Sequence, residues 1–80
     1  MIIVVVARTL DPHRQSEALR AALGLTLRGA RVEVIVDGPL LTPQAERAAA
    51  TLASFGHVVG AGPDALERAL DRADAVEVWT

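Results

Sequence analysis

The chain has no cysteine, and that single absence removes several functions at once. No disulfide and no thiolate metal site can staple the fold, and no thiol is present to act as a nucleophile. Aromatic residues are nearly missing too, being only Phe55 and Trp79. A protein that stacks single-stranded bases needs more of them. Positive charge is not in excess: the net charge is −2 and the basic residues are scattered. The electrostatic footprint of a nucleic-acid binder is therefore absent. No long hydrophobic run exists either. The longest, Met1 to Ala7, is far too short to span a membrane. It has no basic stretch before it and no cleavage site after it, so it does not read as a signal peptide. A cytoplasmic location is the expectation.

What is present is apolar aliphatic residue in quantity. Eighty residues make one domain, spanning 1–80. A chain of this length buries roughly 60% of the surface it exposes unfolded. Yet 51% of its residues are apolar, and the mean hydropathy is +0.33. Either some of that surface is covered by another subunit, or alanine raises the count without making a sticky surface.

The pattern along the chain alternates strand and helix. Ile2–Val6 is an unbroken β-branched run, suited to a central strand covered on both faces. Asp11-Pro12 starts a helix, a carboxylate cap followed by a residue with preset φ. Leu19, Leu23 and Leu27, with Ala18, Ala22 and Leu25, give that helix one broad apolar face, and Gly29 ends it. Val32–Val36 is the second strand. Thr42-Pro43 repeats the cap and proline, and Ala45, Ala48, Ala49, Leu52 and Ala53 line the second helix before Phe55-Gly56 closes it. His57–Val59 is a short third strand near an edge. Gly60–Gly62 turns, and Pro63 opens a third helix with Leu66, Ala69, Leu70 and Ala73 inward. Ala75–Trp79 alternates, with Val76 and Val78 on one face and Glu77 and Trp79 on the other, as a half-exposed edge strand does. Such strand–helix–strand units predict right-handed crossovers. The expected fold is three-layer α/β/α with a small, mainly parallel four-stranded sheet and the first strand interior.

That topology sorts the loops. The turns near Arg8–His13, Asp37–Leu41 and Gly60–Asp64 share the carboxyl edge of the sheet, where ligands of open α/β sheets bind. Arg8, Thr9, Asp11, His13 and Arg14, with Asp37 nearby, are the candidate ligand-binding residues. A helix start there suits an anion, although Asp37 opposes one. The plainer reading is a solvated loop whose Asp11 only caps its helix. His13 and His57 fall at opposite edges, separated by a strand length of roughly 17–20 Å, so no metal site is expected within one subunit. Gly60-Ala61-Gly62-Pro63-Asp64-Ala65 fits the dinucleotide fingerprint, with Glu77 near the ribose spacing. The strand before it is very short, and a tight turn before a helix is the plainer reading. Ser16 and Ser54 lie within helices without an evident base. No cofactor is expected, no catalytic residue is assigned, and the balance leans against an enzyme.

Three stretches resemble the DsrE/DsrF/DsrH-like sulfur-relay family. They are Ile2–Val6 with its proline-bearing loop and Glu17–Gly29, then Val32–Leu41, and then Asp64–Trp79. The resemblance implies a three-layer α/β/α fold with the first strand between the second and the last, and a habit of oligomerisation. Persulfide-carrying members hold sulfur on a cysteine after a middle strand. Here that segment is missing between Phe55 and Gly60, so no active residue carries over. The resemblance thus implies a non-catalytic binding or assembly module with a protein partner in sulfur metabolism. A small-ligand or anion-binding domain is one alternative, and an enzyme with a site shared between subunits is another. A homo-oligomer, foremost a dimer, is expected with Trp79 at the interface. The last strand is a bare edge carrying an aromatic with one wet end. Alternatively Trp79 covers the third helix within its own subunit.

Overall fold

The computed structural model describes residues 1–80. Strand β1 (Ile2–Ala7) leads through helix α1 (Pro12–Thr26) to β2 (Arg31–Val36), then through α2 (Pro43–Ser54) to β3 (Val58–Ala61), and through α3 (Pro63–Arg72) to β4 (Ala75–Trp79). The sheet order is β3-β2-β1-β4 and every pair is parallel. β1 is interior, between β2 and β4, as expected. Its register runs from Ile2 opposite Arg31 to Ala7 opposite Val36 on one side, and from Ile3 opposite Ala75 to Ala7 opposite Trp79 on the other.

The three layers follow from handedness. The chain steps in one direction from β1 to β2 to β3, and right-handed crossovers put α1 and α2 on the same face. It then reverses direction to reach β4, so α3 lies on the other face. Strand alternation divides the side chains accordingly. Val5, Ala7, Val32, Val34 and Val36 pack under α1 and α2 with Leu19 and Leu52, while Val4, Val6 and Ile35 pack under α3 with Ala69.

The helix starts behave as their sequences predict. The Asp11 carboxylate accepts the amides of His13 (2.9 Å) and Arg14 (3.3 Å), and the Thr42 hydroxyl accepts that of Ala45 (3.0 Å). Several expected boundaries and faces differ. Helix α1 ends at Thr26, and its last residues close with short i to i−3 bonds such as Leu27 N to Gly24 O. This tighter turn swings Leu27 off the apolar face, leaving it 89% exposed. Ala53 is exposed because the α2 stripe narrows to Ala45, Ala48, Ala49 and Leu52. Leu70 lies at the exposed rim of α3, beside the buried Ala69. Strand β3 begins after His57 and runs through Gly60 and Ala61, which pair with Ile35 and Val36 instead of turning. Ladder pairing outweighs the turn preference of glycine here. Gly60 also fits for a steric reason: a Cβ there would stand 3.3 Å from the Ala65 Cβ.

One buried feature has no precedent in the apolar pattern. Glu33 sits in β2 on the α3 face and is only 3% exposed. Arg72, the last residue of α3, donates to its Oε1 at 2.6 Å, with a longer bond of 3.4 Å from Nε to Oε2. The hydrogen bond to Glu33 is the main cause of a raised Arg72 pKa. The pair fixes the far end of α3 on the sheet.

Two leucines of one helical region separate packing from propensity. Leu19→Ala should lose about 2–5 kcal/mol of unfolding free energy, as buried leucines do. Leu27→Ala should stay within about 0.5 kcal/mol of wild type. Urea unfolding followed by circular dichroism checks both, and equal losses would contradict the observed end of α1.

Candidate functional site

The carboxyl edge contains a crevice of about 260 Å³ on the α3 face. Its floor is apolar: Val6 from the end of β1, Ile35 from the end of β2, and Leu66 from α3. Its mouth is polar. The Arg8 and Asp37 side chains approach to 3.9 Å, both more than half exposed, and the start of α3 at Gly62 and Pro63 closes the third side.

The position is dictated by the topology. β2 and β3 are neighbours, but their following helices go to opposite faces, α2 to one and α3 to the other. Neighbouring strands whose chains part in this way leave a gap beyond their carboxyl ends. Gly62 makes the gap usable. Its backbone, at φ 91° and ψ 167°, lies in a region open essentially to glycine alone. No side chain caps α3 at this point. The α3 start therefore lacks a capping carboxylate of the kind Asp11 gives α1, although Asp64 stands in its first turn.

The structure separates the six candidate ligand-binding residues. Arg8 and Asp37 meet at the crevice. Thr9 is buried, and its hydroxyl accepts the Asp11 amide at 3.0 Å, shaping the loop. Asp11 occupies the His13 and Arg14 amides, so the start of α1 does not offer them to an anion. His13 lies on the opposite face of the sheet, in a shallow polar depression with Ser16, Glu17, Arg20 and Thr42, and stands 3.7 Å from the Glu17 carboxylate. Arg14 turns toward β4, its guanidinium 5.2 Å from the centre of the Trp79 ring, and its Nε donates to the Thr80 carbonyl at 2.8 Å. Trp79 is half-buried against the α1 side of the core, and its indole N–H donates to Glu77 at 2.8 Å. Within its own subunit it thus leans on α1, not on α3.

The dinucleotide fingerprint does not assemble. Gly62 does open a helix after a strand, but Glu77 lies on β4, three strand spacings or about 14 Å across the sheet from β3. It also faces α1, whereas the crevice faces α3. The hydroxyls are engaged elsewhere: Ser16 Oγ with Thr42 Oγ1 at 2.8 Å, and Ser54 Oγ with the Thr51 carbonyl at 2.8 Å. His57 accepts the Val32 amide through Nδ1 at 3.2 Å, at the edge opposite His13.

Sequence reasoning missed Gln15. It is buried, its Nε2 donates to the Pro39 carbonyl at 3.0 Å, and its Oε1 accepts the Leu41 amide at 2.8 Å. These two bonds hold the loop that runs from Asp37 to the start of α2. The available signal was an uncharged polar residue on the inward face of α1, opposite a Gly-Pro turn whose backbone groups need partners.

Glycine substitutions test this account of the α3 start. Gly62→Ala should destabilise the protein by about 1–3 kcal/mol, because no other residue rests easily at that φ and ψ. Gly24→Ala, in the exposed part of α1 with open space at the Cβ position, should stabilise by about 0.5–1 kcal/mol. Thermal unfolding of the two variants should move in opposite directions. No family model, curated protein or solved structure matches the chain.

Proposed function

We propose that this domain is a non-catalytic binding module that takes a small ligand with an acidic head and a short apolar body into the carboxyl-edge crevice. The observation that carries the reading is the crevice itself: an apolar floor from Val6, Ile35 and Leu66 under a mouth holding Arg8. Pockets that bind small molecules combine such a floor with few polar groups. At about 260 Å³ the space suits a ligand of only a few heavy atoms. The acid would meet Arg8, whose present partner Asp37 is a loose 3.9 Å away in solvent and is readily displaced. Asp37 works against the same acid, which sets affinity low. Butyrate titrated into labelled protein and followed by amide NMR should move the Arg8, Gly62 and Ala65 resonances saturably. Arg8→Ala should weaken binding about tenfold or more, the worth of a charge-assisted bond, and Asp37→Asn should tighten it. Absence of any saturable shift at these amides would end the proposal.

The second reading is the one the family resemblance implies, a cysteine-free DsrE-like assembly module acting beside a sulfur-carrying protein in the cytoplasm. Its support is the strand order, with β1 between β2 and β4, which the resemblance called for. No helix is long and apolar enough to cross a membrane, which agrees with that setting. In this reading the chain itself holds no persulfide and works as a homo-oligomer, foremost a dimer.

A further inference from the structure

The two edges of the sheet are not equivalent. β3 has four residues, one of them Gly60, and it lies between Gly56 and Gly62. β4 has five, Ala-Val-Glu-Val-Trp, without glycine, proline or lysine and without a bulge in its pairing to β1. Natural sheets guard their edges with such devices; β4 carries only the single charge of Glu77, and with the strong strand formers Val76, Val78 and Trp79 its edge is open to another strand. The α3 face of β4 is also bare. Helix α3 lies chiefly over β1, β2 and β3, leaving Val76 46% and Val78 56% exposed.

We infer that the outer edge of β4 pairs antiparallel with β4 of a second copy, joining two sheets into one of eight strands around a twofold axis at Val78. The occupant follows from the chemistry of the edge. Trp79 turns its carbonyl to β1, where it accepts the Arg8 amide at 2.8 Å. Strand alternation then points the amides and carbonyls of Val76 and Val78 outward, where a second strand can replace water as their partner in register. A twofold axis lays like faces together, so the register is chosen by what meets Glu77. Centred on Glu77 itself, the pairing would set two carboxylates directly opposite, which is unfavourable. Centred on Val78, it sets Glu77 opposite the partner's Trp79. The Arg14 guanidinium already lies over the Trp79 ring, so each carboxylate faces the other copy's cation. On the other face Val78 meets the partner's Val78, and the two exposed side chains cover one another.

This surface gives the dimer of the second reading its contact and is independent of the ligand crevice. The test uses the absence of natural cysteine. In the proposed register, the two Val78 Cα atoms lie about 5.5 Å apart, within disulfide range. The two Val76 positions are offset by four residues, about 13 Å, which no disulfide spans. Val78→Cys should therefore oxidise readily to a covalent dimer in dilute solution, at least tenfold faster than Val76→Cys or the β3-edge variant Val58→Cys. All three positions are partly exposed, so the variants should fold, and circular dichroism confirms it. Sedimentation of the wild type should show a dimer at about 100 µM, the concentration range of weak specific association. A wild-type monomer at that concentration overturns the inference together with the dimer. A wild-type dimer in which Val76→Cys or Val58→Cys cross-links as fast as Val78→Cys overturns the inference alone, leaving the dimer to another surface.

Discussion

The coverage of β1 on both faces is the constraint from which the rest of the domain follows. Val4, Val5, Val6 and Ala7 are all buried, and they are buried by different layers. Val5 and Ala7 need helices on one side, and Val4 and Val6 need one on the other. In a chain this short, only three helices are available. Two short crossovers in one direction supply the first face, and a single long return supplies the second. Small residues make the economy work. Ala18, Ala22, Ala45, Ala48 and Ala69 let the helices come down onto a valine floor without bulky side chains between them. Part of the apolar content is therefore alanine placed at contacts, while side chains such as Leu10, Phe55, Val76 and Val78 remain at the surface.

The second face is the weaker one, and the Glu33–Arg72 pair belongs to it. A carboxylate in the middle strand would be costly if left unpaired. Arg72 satisfies it from the last turn of α3, where a cation also suits the helix dipole. At the other end of α3, Gly60 lets the helix begin close against the sheet, and Gly62 supplies the positive φ of the turn that leads into it. The helix is thus held at its end by charge and at its start by the lack of side chains. The crevice is the space left at the start, where there is no capping side chain and where the positive φ of Gly62 would strain any residue that brought one.

Much of this was legible in the sequence, because it rests on local signals. The unbroken Ile2–Val6 run, the Asp-Pro and Thr-Pro helix starts, and the alternation of Ala75–Trp79 each name their element and its exposure. The interior place of β1 followed from its unbroken run, and the expectation that β2 and β4 flank it came from the family resemblance alone. What was not legible depends on pairing across the fold. Gly60-Ala61 reads as a turn until β2 is known to lie beside it. Leu27 reads as a core residue until the helix tightens two residues earlier. Glu33 reads as an interruption in a strand until α3 is placed over it. The candidate site was half legible. Arg8 and Asp37 were found from their place after strands, but Thr9, Asp11, His13 and Arg14 were grouped with them by nearness in sequence. The sheet separates His13 from the crevice, and local hydrogen bonds engage the others.

The crevice and the bare β4 edge are two results of one geometric shortage. An α-helix with its side chains is about 10–12 Å across, while four strands at their usual spacing place the outer axes about 14 Å apart. Two helices cover such a sheet and one does not. On the α1 and α2 side the cover reaches Trp79, which packs on that layer. On the α3 side a single ten-residue helix must choose where to lie. Its start is fixed beside β3 by the short Gly62 turn, and its end is fixed over β2 by Glu33. Both constraints hold it away from β4. Val76 and Val78 are left uncovered because the helix that could cover them is tied to the other side of the sheet. A bulkier third layer would close that face but would also crowd the carboxyl edge, so the exposed valines and the open crevice come together.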